Sequence, residues 1–267
     1  MELAGKVAII TGGASGIGRA SSLRFGTERA TVIVVDVDLN GALAVATAIR
    51  QAGGQALGLR CDVTNEAEVK ALVEHVSSSF GRIDLFWSNA GISVPGGVET
   101  PNEQWQRAWE VNVMSHVYAV RAVLPDMLAR RSGYLIHTAS AAGLLTHLGA
   151  LPYAVSKHAV VALAEWLSIT YGAAGIGVSC LCPKVVRTGM MKQALEHSKA
   201  AAQIASAYGV VLEPEQIADM VVQALKEERF LILPHADVLP DFQQKAANYG
   251  DWLASMRHLR EQTNAFS

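Results

Sequence analysis

The apolar positions of this chain fall into two alternating kinds of segment. Short apolar runs of strand length occupy Val7–Ile10, Thr31–Val35, Leu85–Trp87, Tyr134–Thr138, Gly177–Leu181 and Phe230–Leu233, with Ala56–Arg60 a weaker one, third in chain order. They are nearly continuous, the pattern of strands covered on both faces as in a parallel sheet. Longer stretches with helical spacing lie between them. Glu66–Phe80 places Val69, Leu72, Val73 and Val76 on one helix face. Thr100-Pro101-Asn102-Glu103 has the form of a capping box with proline at the first helical position, and predicts a long helix reaching Arg130, bent near Pro125. Pro152–Tyr171 predicts another. Such alternation implies right-handed βαβ crossovers, hence an α/β, doubly wound, seven-stranded parallel sheet with helices on both faces. No repeat or linker interrupts the pattern. Residues 1–267 therefore read as one domain, with 189–212 as a candidate lid and 234–267 as a C-terminal extension.

Composition narrows the class. Hydrophobic residues at 51% and charged residues at 17% exclude disorder. A net charge of −2 with no basic run argues against nucleic acid as a partner. No apolar stretch approaches the ~20 residues of a membrane span. The start, Met1-Glu2-Leu3-Ala4-Gly5-Lys6, runs into a strand without the plan of a secretion signal. Cys61, Cys180 and Cys182 cannot all pair, which suits a reducing, cytoplasmic setting. Cys180 and Cys182 share one strand face and, like His137, read as core residues. The histidines show no ligand spacing, so no metal is expected.

Two features carry chemistry. The first is Thr11-Gly12-Gly13-Ala14-Ser15-Gly16-Ile17-Gly18, between the first strand and a helix. Glycines let a backbone approach a pyrophosphate closely, and the helix start offers free N–H groups and its positive dipole end. A P-loop is excluded, because Arg19-Ala20 stands where Lys-Ser/Thr is required. The usual G-x-G-x-x-G is not met either, since Ser21 takes the last glycine's place. Asp36 closes the second strand, roughly 20 residues past the loop, where a dinucleotide fold sets a carboxylate on the adenosine ribose. That carboxylate would repel a 2′-phosphate, so NAD(H) is favoured over NADP(H).

The second feature is Tyr153-Ala154-Val155-Ser156-Lys157, a phenol and an ammonium on one helix face. A free phenol titrates near ~10, too high for a base at neutral pH. A neighbouring cation favours the phenolate. Ser140 at the end of the fifth strand, Asn89 at the end of the fourth and Asn112 in the long helix fall where a parallel sheet presents its carboxyl edge.

Taken in order and spacing, Thr11-Gly12-x-x-x-Gly16-x-Gly18, Asp62-Val63, Asn89-Ala90-Gly91, Asn112, Ser140 and Tyr153-x-x-x-Lys157 resemble the short-chain dehydrogenase/reductase family in its compact, single-domain form. The resemblance covers residues 5 to about 190. It implies a Rossmann fold with Tyr153 as general acid/base on the substrate oxygen, Lys157 lowering the tyrosine pKa and binding the nicotinamide ribose, and Ser140 bonding the same substrate oxygen. It implies that Asn112 holds a water in a proton relay toward Lys157. Gly12, Ser15, Gly16, Ile17 and Gly18 would cradle the phosphates, Asp62 and Val63 contact adenine, and Asn89, Ala90 and Gly91 line the cofactor's middle. The family usually reads Pro-Gly-x-Val-x-Thr after the sixth strand. Here Pro183, Val186 and Thr188 keep their places beside the carboxamide, while Lys184 replaces the glycine and puts the local turn in question.

Leu144, Leu145, Leu148, Val94, Met190 and Met191 are expected around the reacting carbon, and His147 is a candidate substrate contact. They suit a small hydrophobic or aromatic secondary alcohol or ketone. The tail, with Phe242, Tyr249 and Trp252, departs from the family's common ending and is expected to cover the pocket or a neighbouring subunit. Surplus apolar surface on the two long helices, which family members pair between subunits, points to a homodimer or homotetramer. The leading reading is an NAD-dependent alcohol oxidoreductase. The alternatives are a catalytically silent dinucleotide-binding regulator and a sugar-nucleotide epimerase or dehydratase, for which 267 residues leave little room.

Overall fold

Residues 1–192 and 209–263 are described by a computed structural model. Seven parallel strands form one sheet: β1 (Val7–Thr11), β2 (Thr31–Asp36), β3 (Gln55–Arg60), β4 (Leu85–Ser88), β5 (Gly133–Thr138), β6 (Ile176–Leu181) and β7 (Leu231–Ile232). Their spatial order is β3-β2-β1-β4-β5-β6-β7. This is the doubly wound Rossmann arrangement expected from the apolar runs.

The strands alternate strictly between two cores. Val7 and Ile9, Ile33 and Val35, Phe86, Leu135, Val178, Cys180 and Cys182 face a core completed by three helices, α3 (Glu66–Phe80), α5 (Ser115–Arg130) and α7 (Leu151–Tyr171). Ala8 and Ile10, Val32 and Val34, Leu85 and Trp87, Tyr134 and Ile136 face the other, closed by α1 (Gly16–Thr27), α2 (Leu39–Gln51) and the helix Pro214–Lys226. Two-sided burial is why the strands read as unbroken apolar runs.

Helix ends follow local chemistry. Asn65 accepts hydrogen bonds from Ala67 and Glu68 N–H at the start of α3, and left-handed Gly81 ends it. The strand order reverses between β1 and β4, so their carboxyl ends part into a crevice.

Two local expectations are corrected. The Thr100–Glu103 capping box does not form. Thr100 is buried with its N–H bonded to Gly97 O, and Pro101 is the residue before the short helix α4 (Asn102–Trp109). The long helix is broken by a π turn at Glu110–Met114, while α5 continues through Pro125. Most of the segment read as a lid, 193–208, lies outside the described residues. No helix among the described residues is long and apolar enough to cross a membrane.

Candidate active site

Hydrogen bonds tie the carboxyl ends of β1, β4 and β5 together. Thr11 Oγ1 accepts from Asn89 N–H at 3.0 Å and Ala90 N–H at 3.2 Å. Asn89 Nδ2 donates to Thr11 O at 3.0 Å, and its Oδ1 accepts from Thr138 Oγ1 at 3.1 Å. Asn89 and Ala90 thus form one wall of the glycine loop.

The loop's glycines are required by contact. Gly12 has φ +65°, and a Cβ there would stand 2.9 Å from Ala90 Cα. A Cβ on Gly18 would stand 2.1 Å from Gly12 O. Ser15 precedes α1 in extended conformation, and its side chain makes no capping bond. The first-turn N–H groups around Gly16, Ile17 and Gly18 therefore suit an anion. Thr188 lies over the loop, with Cγ2 3.0 Å from where a Gly16 Cβ would be. Asp36 is bound to the same loop: Oδ2 accepts from Ala14 N–H at 3.0 Å and Oδ1 from Asp38 N–H at 3.1 Å. The Asp62 carboxylate is held below its usual range by Thr64, whose hydroxyl and N–H bond it at 2.7 and 3.0 Å. That leaves Val63 half-buried beside it. The cradle fits a dinucleotide: a close backbone approach, a helix start and a ribose-reaching carboxylate stand together.

At the β5 side, α7 presents Tyr153 and Lys157. Lys157 is 3% exposed, and its Nζ donates to Thr138 O at 2.7 Å. Burial pushes its pKa down to about 8. Gly91 completes the group, since a Cβ there would lie 3.4 Å from Lys157 Nζ and 3.3 Å from Asn112 Oδ1. Ser140 Oγ accepts from Ala142 N–H at 3.1 Å and donates to Pro183 O at 3.3 Å.

The electrostatics of Tyr153 differ from the expectation that Lys157 lowers its pKa. Burial pushes the phenol up, and its hydrogen bond with Ser140 is what pulls it down. Lys157 Nζ donates one bond to Thr138 O and stands 5.7 Å from the centre of the tyrosine ring. In the protein alone, both groups are driven toward their neutral forms.

Asn112 is held by three hydrogen bonds. Its Oδ1 accepts from Ile92 N–H at 2.9 Å, and its Nδ2 donates to Ile92 O and Ser156 Oγ, both at 3.0 Å. The side chain thereby clamps the 91–92 loop to α7.

Lys184 causes no strain in place of glycine, because it does not adopt a positive φ. Its N–H donates to His235 Nδ1 at 3.2 Å, and its Nζ pairs with Asp237. Val186 bridges to Leu212, and Pro183 O also accepts from Ala141 N–H.

The expected substrate wall divides. Leu144 is buried in the α3–α5–α7 core, and Leu145 packs against that core. Leu148 is half-buried, Val94 is buried, Met190 is exposed and Met191 half-buried. His147 is brought against Tyr153, edge-on, with ring centres 6.2 Å apart. Cys180 and Cys182 are core residues with sulfurs 3.8 Å apart. His137 is buried against His116, Nδ1 to Nδ1 at 2.9 Å. Sequence reasoning missed His116, whose only signal was a histidine at an apolar helix position. It also missed Lys245, discussed below.

The fold is that of a Rossmann protein, with Tyr153 and Lys157 brought to the carboxyl edge of its sheet. The family model for short chain dehydrogenase matches residues 6–199, and the chain belongs to that family. It is 35% identical over 241 residues to the 1-deoxy-11-beta-hydroxypentalenate dehydrogenase of Streptomyces exfoliatus, covering 89% of this chain and 86% of that one. It is 33% identical to the 7alpha-hydroxysteroid dehydrogenase of Escherichia coli (strain K12), over 73% of this chain and 76% of the relative. A crystal structure of a short chain dehydrogenase/reductase from Burkholderia phymatum in complex with NAD aligns with a TM-score of 0.84 at 32% identity, covering 92% of this chain and 95% of that one.

Proposed function

We propose that this chain is an NAD(H)-dependent oxidoreductase acting on the CH–OH group of a hydrophobic or aromatic secondary alcohol, or on the ketone in reverse. The observation that carries the reading is the meeting of Tyr153, Ser140 and Lys157 beside Gly91, at the sheet edge where the glycine loop opens. A bound nicotinamide dinucleotide supplies the hydride chemistry and, when oxidised, a positive charge. The chain's own residues manage the proton. Tyr153 Oη takes it from the substrate hydroxyl or returns it to the carbonyl oxygen, and Ser140 bonds that same oxygen. Lys157 and the Asn89-Ala90-Gly91 wall would hold the nicotinamide ribose. Val186 and Thr188 would stand at the carboxamide. Since burial alone raises the phenol's pKa, proton abstraction depends on positive charge arriving with the cofactor. That dependence would restrain Tyr153 until both ligands are in place.

The Asp36 carboxylate at the loop edge supports NAD(H) over NADP(H). Exposed Val155, Trp166 and Ile169 on α7, with Trp109 on α4, support burial of this surface between subunits of a homodimer or homotetramer. The buried free thiols suit a reducing, cytoplasmic environment. The test is turnover measured by NADH absorbance, with NAD⁺ and NADP⁺ side by side, across a panel of secondary alcohols and ketones. Tyr153→Phe is expected to lower turnover at least a hundredfold, because positioned acid–base groups contribute ~10²–10⁴. NADH affinity should stay within a few-fold. A phenylalanine variant with a tenth of the wild-type rate would overturn the assignment.

A further inference from the structure

The C-terminal helix Val238–Ala247 carries a cation buried without a counter-ion. Lys245 is 8% exposed, and its Nζ donates to the backbone oxygen of Leu144 at 2.6 Å. The same ammonium lies 4.8 Å from the centre of the Trp252 ring and 5.6 Å from that of Tyr249. Among the described residues no carboxylate pairs with it. Burying a charge this way is costly unless it is hydrogen-bonded, and facing aromatic rings reduce the cost. The arrangement clasps the tail onto one particular carbonyl.

That carbonyl belongs to a strained place. Leu144 lies in the short helix Ala142–Leu145, which starts two residues after Ser140, and two residues later Thr146 has φ +74°. A β-branched residue adopts such a backbone only where its surroundings impose it. The next residue, His147, is the one whose ring stands edge-on to Tyr153. The tail has an independent second anchorage. His235 accepts from Lys184 N–H and donates from Nε2 to Val185 O at 3.1 Å, and Lys184 pairs with Asp237. Loss of the Lys245 contact therefore leaves the start of the tail in place.

We propose that Lys245 is a positioning residue of the active site. By holding Leu144 O it maintains the left-handed Thr146 turn and so sets where the His147 segment stands against Tyr153. Its expected effect on turnover rests on the alcohol-oxidoreductase reading, whereas the clasp itself does not.

Three variants of the full chain test this: Lys245→Met, Lys245→Arg and Lys245→Met combined with Thr146→Gly. Hydrogen–deuterium exchange reads the clasp without any substrate. In Lys245→Met, amides 144–148 should exchange about tenfold faster, as release of a strained turn implies, with 184–186 unchanged. The KM for a bulky secondary alcohol should rise about tenfold while kcat and NADH affinity stay within about twofold, since only the substrate wall moves. Arginine, which keeps the charge and the aromatic contacts, should restore most of the loss. Glycine at 146 should restore KM in the methionine background, because it adopts the turn without strain. Unchanged exchange at 144–148, or faster exchange with unaltered KM, would overturn the proposal. If the wild-type protein turns over no alcohol or ketone, the functional reading fails instead, and the exchange data still decide whether Lys245 holds the segment.

Discussion

The buried histidine pair makes stability sensitive to mild acid. His116 on α5 and His137 on β5 stack with ring centres 5.2 Å apart and share one Nδ1–Nδ1 hydrogen bond. One ring donates and the other, necessarily neutral, accepts in that bond, and among the described residues the Nε2 atoms of both lack partners. Burial holds both pKa values down, His137 to about 4 from 6.5. The folded state thus refuses a proton that the unfolded chain accepts. Stability is fully present above the unfolded value of 6.5 and is lost as pH falls from there toward about 4. For His137 alone the slope is ~1.4 kcal/mol per pH unit, which gives a loss of ~2 kcal/mol by pH 5. Urea unfolding at pH 7.5, 6.0 and 5.0 measures it directly. Replacing both histidines by leucine removes the titration and two unpartnered nitrogens. The double variant should match the wild type at pH 7.5 within about 1 kcal/mol and exceed it at pH 5. Parallel profiles for the two proteins would refute this account, whatever His147 and His235, also lowered by burial, add to both.

Other substitutions address the cofactor crevice. Asp36→Ala removes the carboxylate that anchors Ala14 and opposes a 2′-phosphate, so the kcat/KM ratio for NADP⁺ over NAD⁺ should rise at least about tenfold; an unaltered ratio would contradict the role given to Asp36. Gly12→Ala adds a Cβ 2.9 Å from Ala90 Cα at a positive φ, and NADH fluorescence titration should show affinity weakened by about tenfold or more. Asn112→Ala strands both backbone groups of Ile92, while the Ser156 hydroxyl keeps its bond to Tyr153 O; this should cost roughly 3 kcal/mol in urea unfolding, and a loss under ~1 kcal/mol would show that the clamp is dispensable.

Most strands were legible because they are buried on both faces, which leaves an apolar run whatever the rest of the chain does; β3, largely half-buried or exposed, gave the weakest run. The placing of the glycine loop, Asp36 and the Tyr153–Lys157 pair was legible because helix and strand geometry convert local spacing into direction. The π turn was not. Nothing in Glu110–Met114 forbids a regular helix, and the turn sits where Asn112 reaches across to Ile92 and Ser156. The burial of Leu144 was not legible either: apolar side chains just after Ser140 serve a pocket or a core equally well in sequence, and packing beside α7 put this one in the core.

The order of chemical groups along this chain therefore determined by itself the alternating sheet, the tight glycine loop after β1 and the placing of Tyr153 and Lys157 on one helix face. Each is a short-range consequence of residue type and periodicity. Tertiary structure alone decided which charges are desolvated and by what. It put Lys157 on a carbonyl rather than the phenol, closed two histidines against each other, and brought Lys245 across more than a hundred residues to Leu144. Burial and partner choice are properties of groups distant in the chain, and no local pattern encodes them.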